Sequence, residues 1–164
     1  MIDATPPDTL ITSRGEFQEA LRRAFATLST AACRDVWLCD EDFAHWPLGD
    51  IETIEHLSRW AAPGRRLVLL ARTFDEVARR HPRWVRWRRD YSHLVTCRRN
   101  QECATGEFPC VFLAADTLTV RLSDLARFRG RMSPTAIERV SCKEILDAIS
   151  QRSEEAFPAT TTGL

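Results

Sequence analysis

Apolar residues in this chain recur at two spacings, and the alternation between them marks out helices and strands in turn. Phe17, Ala20, Leu21, Ala24, Phe25 and Leu28 share one helical face. Ahead of them, Ser13-Arg14-Gly15-Glu16 has the form of a capping box, with Ser13 accepting from orphan backbone donors and Glu16 reaching back. Residues 36–39 are short, apolar and flanked by charge, as a buried strand is. A loop over 40–49 follows, and Asp50 is placed to cap a second helix whose inner stripe is Ile51, Ile54 and Leu57. Pro63-Gly64 ends that helix, and residues 67–71 form a second buried strand. Thr73 and Glu76 make another capping box before a helix over 74–80. His81-Pro82 interrupts it, and 84–91 resumes as a short helix.

Residues 93–97 read as a third strand, and the polar stretch 98–106 as a loop. Segments 110–115 and 118–122 form a hairpin turning at Asp116-Thr117. A basic loop spans 127–131. Ser133-Pro134 opens the last long helix, whose buried side is Ile137, Val140, Ile145, Leu146 and Ile149. The expected organisation is a disordered lead over 1–12, one domain over 13–157 and a flexible tail over 158–164. Strands alternating with helices imply an α/β sandwich with a mixed, largely parallel central sheet flanked by helices.

Composition narrows this only slightly. A chain of 164 residues is long enough to bury one core without staples. Formal net charge is zero, which argues against a dedicated nucleic-acid binder. Lys143 is the sole lysine among 23 basic residues, and arginine forms better forks on phosphate and carboxylate. The first residues lack the basic start and apolar core of a signal peptide, and no apolar run is long enough to span a bilayer. The expectation is a soluble cytoplasmic protein with no membrane contact. None of the six cysteines forms a Cys-x-x-Cys pair, which weighs against zinc, and disulfides do not suit that compartment.

Pro109-Cys110-Val111-Phe112-Leu113-Ala114-Ala115-Asp116 lies in the register of His-x-Lys-x-x-x-x-Asp, and on this stretch and the element order the chain resembles a single phospholipase D-like half-domain. In that signature the histidine is the nucleophile for phosphodiesters and the lysine holds phosphate oxygens. Pro109 and Val111 do neither, and Asp116 alone remains. The family's downstream Gly-Ser-x-Asn is also missing, since Ser123-Asp124-Leu125-Ala126 occupies that stretch. Residues 33–43 and 151–158 are similar in wording to an uncharacterised proteobacterial domain family with no known activity. The resemblance implies the fold, implies no hydrolysis, and implies a homodimer, because active members of the superfamily join two halves.

Two stretches carry candidate chemistry. Asp40-Glu41-Asp42 follows a buried strand, where ligands of open α/β sheets sit. It resembles the nucleophile loop of haloacid dehalogenase-like phosphatases, which implies Asp40 as nucleophile, Asp42 as acid/base and magnesium between them. Ala44 departs from that pattern, and no lysine follows Thr73 before Asp116. The alternative is a solvated turn in which these carboxylates cap backbone. The second stretch, 79–93, interleaves six arginines with two tryptophans, a tyrosine and two histidines. Arg80, Arg83, Arg86, Arg88 and Arg89 suit phosphates, while Trp84 and Trp87 would serve as stacking platforms. Against that, Trp84, Trp87 and Tyr91 fall at i, i+3 and i+7, a face that can pack on the sheet. His45, His56 and His93 lack partners in sequence and are assigned to structure, and Trp46-Pro47-Leu48 to a plug over the sheet end.

Three functions remain, none requiring a cofactor except the last. The first is a non-catalytic phospholipase D-like module that binds a protein partner or itself. The second is a nucleic-acid or anionic-ligand binder using 79–93. The third is a magnesium-dependent phosphotransfer enzyme using Asp40 and Asp42.

Overall fold

A computed structural model of the chain describes residues 8–158. Eight strands among these residues form one sheet in the order β1-β7-β6-β5-β2-β3-β4-β8. The strands β2 (Asp35–Cys39), β3 (Arg66–Ala71) and β4 (Val95–Arg99) run parallel, with Trp37 beside Val68 and Leu69 beside Cys97. After β4 the chain returns to the other side of β2. There β5 (Cys110–Ala114), β6 (Leu118–Asp124) and β7 (Arg129–Ser133) form an antiparallel meander. The edges are β1 (Thr9–Ile11) on β7 and β8 (Glu154–Glu155) on β4, both antiparallel.

The fold is therefore mixed α/β, but the expectation of a largely parallel sheet is corrected. Only β2–β3 and β3–β4 are parallel, because among neighbouring strands only those pairs are joined through helical crossovers. Tight turns join the later strands, and tight turns reverse direction.

Strict alternation lets the central strands serve two cores. Val36, Leu38, Leu67, Leu69, Phe112 and Ala114 face a layer made by α1 (Arg14–Leu28), α2 (Ile51–Trp60), α3 (Asp75–Arg80) and α4 (Pro82–Asp90). Trp37, Cys39, Val68, Leu70, Val111 and Leu113 face Cys142, Leu146 and Ile149 of α5 (Ala136–Gln151). Lys143 Nζ sits 4.6 Å from the centre of the Trp37 ring and so covers the edge of this smaller core.

Several element ends differ from expectation for local reasons. Residues 1–7 and 159–164 lie outside the described residues, as do the expectations for them, but 9–11 pair with β7 and so do not belong to a disordered lead. Ser13 does cap α1, yet Glu16 receives the backbone N–H and hydroxyl of Thr12 rather than closing on Ser13. Asp50 makes no capping bond and instead pairs with Arg22 at 3.1 Å. Thr73 accepts from the Asp75 N–H, while Glu76 is drawn away by Arg79 and Arg80. The basic stretch 127–131 is no loop throughout, since Arg129–Ser133 is β7. Ser133 therefore ends a strand, and Thr135 caps α5. On α5, Ile137 and Val140 are 84% and 59% exposed, because the helix turns Cys142 rather than those two toward the sheet.

Candidate functional site

Strand order reverses between β2, whose chain moves outward through β3 and β4, and β5, which returns on the opposite side. Open α/β sheets bind ligands at such a reversal, beyond the carboxyl ends of the strands. Here the reversal opens into a cleft of about 280 Å3. Asp40, the first residue beyond β2, stands in it beside Cys110, the first residue of β5. Its far wall is Leu122, Leu125 and Phe128 from β6 and the turn after it, and Phe17 and Trp46 close one side.

The loop after β2 is held in place by the acidic residues themselves. Asp40 Oδ2 accepts the backbone N–H of Phe43 at 2.8 Å and of Asp42 at 3.3 Å. Asp42 Oδ1 accepts from Ala44, and Glu41 Oε1 from Gly106 across the cleft mouth. The Glu41 carbonyl also receives the N–H groups of Arg72 and Thr73, which ties this loop to the end of β3. Asp40 and Asp42 thus perform the capping expected of a turn, while Glu41 fastens the loop to Gly106, and each retains an oxygen for other use.

Asp40 is half-buried, and burial pushes its carboxyl up from 3.8 to about 6. The Phe43 N–H and the Cys110 thiol pull it back down by donating to it. Burial also holds the Cys110 thiol well above its usual range. Phe43, fully buried, has φ 60°, a conformation costly without a compensating frame. The frame is visible: Asp40 takes its N–H, and Nε2 of buried His81 donates to its carbonyl at 2.8 Å. Burial also lowers the His81 pKa, which keeps the ring neutral. Gly49 lets His81 approach, since a Cβ there would meet the His81 backbone at 3.1 Å. Phe128 also has positive φ, at 53°, and its ring meets Phe17 at 5.8 Å and His45 at 5.5 Å.

The cleft lining contains no arginine or lysine. Among the described residues no group of three or more His, Cys, Asp or Glu side chains is arranged to hold a metal ion. A phosphoryl group held at Asp40 and Asp42 would meet no arginine or lysine of the cleft lining.

The degenerate signature is dispersed. Val111 is fully buried against α5, and Pro109 is half-buried just before β5. Asp116 is exposed in the β5–β6 turn at the opposite end of β5, bonded to the Thr117 hydroxyl. These three positions form no common pocket.

The arginine–tryptophan segment splits by face. Trp84 and Trp87 are buried at 0% and 4% exposure, Trp84 against Phe157 and Trp87 stacked on Tyr91. They are core residues, so the stacking-platform expectation for both is corrected. Arg88 is buried as well. Arg80 is exposed but joined to Glu76, whereas Arg83, Arg86 and Arg89 are exposed with no carboxylate partner among the described residues. Trp46 and Leu48 do form the expected plug, at 3% and 0% exposure. Sequence reading missed His81, Cys110 and Phe128. Of these only Phe128 lay in a stretch the sequence marked out as a loop, the basic segment 127–131.

Comparison with protein-family models and with curated protein sequences gives no match. Among solved structures the chain is similar to TrmBL2, an archaeal chromatin protein that shows a novel mode of DNA binding, with TM-score 0.62 and 13% identity. The similarity covers 92% of this chain and 55% of that one, so this chain spans about half the length of its structural neighbour. At that identity the likeness is one of fold. No helix among the described residues is long and apolar enough to cross a membrane.

Proposed function

We propose that this protein is a non-catalytic binding module of phospholipase D-like architecture whose ligand enters the cleft between β2 and β5. The observation that carries the reading is Asp40 in an aromatic-walled cleft at the reversal of strand order, its carboxyl raised to about 6. Three acidic residues and no arginine or lysine line the cleft, with His45 the one imidazole, so the favoured ligand group is a small organic cation with an apolar body. Dispersal of Pro109, Val111 and Asp116 supports binding in place of hydrolysis.

The test uses benzylamine and benzyl alcohol as probes, followed through the Trp46 indole signal by NMR at pH 7.5. Benzylamine is expected to shift that signal, the alcohol to do so far less, and Ala126→Trp, which fills the cleft mouth, to abolish the response. Bis(4-nitrophenyl) phosphate with magnesium is expected to remain intact. Asp40-dependent hydrolysis, or a cleft silent to every probe, would overturn the reading. Light scattering on the same samples reports whether the module pairs with itself.

A second reading, binding of nucleic acid, is favoured by Arg83, Arg86 and Arg89, exposed on α4 with no carboxylate partner among the described residues, and by the DNA-binding neighbour. With the tryptophans buried, contact is through phosphate alone and duplex is preferred. Three phosphate contacts give a slope of about −2.7 in log affinity against log salt. Fluorescence anisotropy with labelled duplex measures it, and an unchanged affinity after Arg83→Glu, Arg86→Glu and Arg89→Glu together would remove this reading.

A further inference from the structure

Arg88 carries the one guanidinium in the described residues that is both buried and without a carboxylate. It lies in the last turn of α4 and is 7% exposed. Its Nε and Nη1 have no hydrogen-bond partner. Arginine does not lose its proton in a protein, so the cost of burial cannot be relieved by neutralisation. Charges this deep are ordinarily paired.

The same residue lines an open cavity of about 330 Å3 at the β4–β8 edge of the sheet, two strands along from β2, with Val95, Thr96 and Cys97 of β4 and Glu155 and Ala156 of the closing edge. The Cys97 thiol is not the missing anion, because burial pushes it up to about 12 although Arg88 pulls the other way. Glu155 is exposed and makes no ion pair with Arg88. Nearby Arg98 and Arg99 are committed elsewhere, the first to the carbonyls of Ser150 and Ser153 and the second to Glu154. The lining carries one positive and one negative side chain, Arg88 and Glu155, which are not paired with each other, and an apolar rim of Val95 and Ala156.

We propose that this cavity binds a small oxyanion, the carboxylate or phosphate group of a metabolite, with Arg88 as its ligand. The guanidinium fork suits either group, and the apolar rim takes a short hydrocarbon body. The site is independent of the cation cleft and of the outer face of α4.

Isothermal titration of the full chain with benzoate and with inorganic phosphate, at pH 7, distinguishes the two anion sources, and benzyl alcohol serves as the neutral control. One of the anions is expected to bind at one site per chain and to shift the Arg88 Nε–H signal in NMR. Arg88→Met keeps the apolar stem and is expected to weaken binding at least tenfold. Glu155→Gln removes the rim's negative charge and is expected to tighten it severalfold. Two results would overturn the proposal. One is no saturable binding of either anion in the millimolar range. The other is a Glu155→Gln chain that loses thermal stability and leaves the Arg88 Nε–H signal moved without any added anion, which would make Glu155 the internal partner.

Discussion

Replacing Asp40 by asparagine isolates the cost of the charge at the base of the cleft. Asparagine keeps an oxygen for the N–H groups of Phe43 and Asp42, so the turn after β2 retains its frame. What disappears is the ionisation of a half-buried carboxyl whose pKa stands at about 6 rather than 3.8. A raised acid pKa means that the folded state holds its proton more tightly than the unfolded chain does. Asp40 therefore subtracts no stability below pH 4, subtracts progressively more between the two pKa values, and reaches its full cost above pH 6. Roughly two pKa units correspond to about 3 kcal/mol at neutral pH, an upper bound because an amide in that position also loses solvent. Urea unfolding at several pH values between 4 and 8 measures this. With an m-value of about 2 kcal/mol/M, Asp40→Asn should move the midpoint at pH 7 upward by as much as about 1.5 M, and by nearly nothing at pH 4. A pH-independent difference, or an asparagine chain less stable at pH 7, would show that the carboxylate is compensated and would refute the argument from burial.

Other substitutions test the packing. Gly130→Ala places a Cβ 1.9 Å from the Arg121 carbonyl oxygen, a backbone clash expected to cost about 3 kcal/mol or more in urea unfolding. Trp84→Ala should cost about 3–5 kcal/mol, since the side chain is fully buried; a loss below about 1 would return it to the surface. Thr135→Ala should lower stability by about 1 kcal/mol through loss of the α5 cap. By contrast, Asp50→Ala should change it by less than about 1, as its partner is a half-exposed arginine rather than a helix end.

The central strands were legible because they are buried on both faces: 36–39, 67–71 and 110–114 are continuous apolar runs whose alternate residues enter different cores. Which strand neighbours which was not, since the pairing of Val36 with Ala114 is a long-range choice that no local pattern encodes. β7 escaped notice because Arg-Gly-Arg-Met-Ser has one large apolar residue, Met132, and is stabilised by its neighbours on both sides. The misread face of α5 has a simple origin. Ile137 and Val140 weigh heavily on any hydropathy count, whereas Cys142, which the fold buries, weighs little. In the cleft, Asp40 was legible as the residue after a buried strand. Cys110 and Phe128 join it only through the return of the chain, and His81 acts on it through the Phe43 carbonyl, so no spacing announces them.

The seam between β2 and β5 also has a bearing on how the chain reaches its native state. On one side of it lie β2, β3 and β4, joined by successive crossovers, on the other the meander β5 to β7, and each of these groups of three can organise from contacts nearer in sequence than those across the seam. Their union requires the ends of a long loop to meet, which makes docking of the two halves the natural slow event. The cleft straddles this joint. A compound that binds there recognises only chains in which docking is complete, so it would act as a pharmacological chaperone, slowing separation of the halves more than it speeds their meeting.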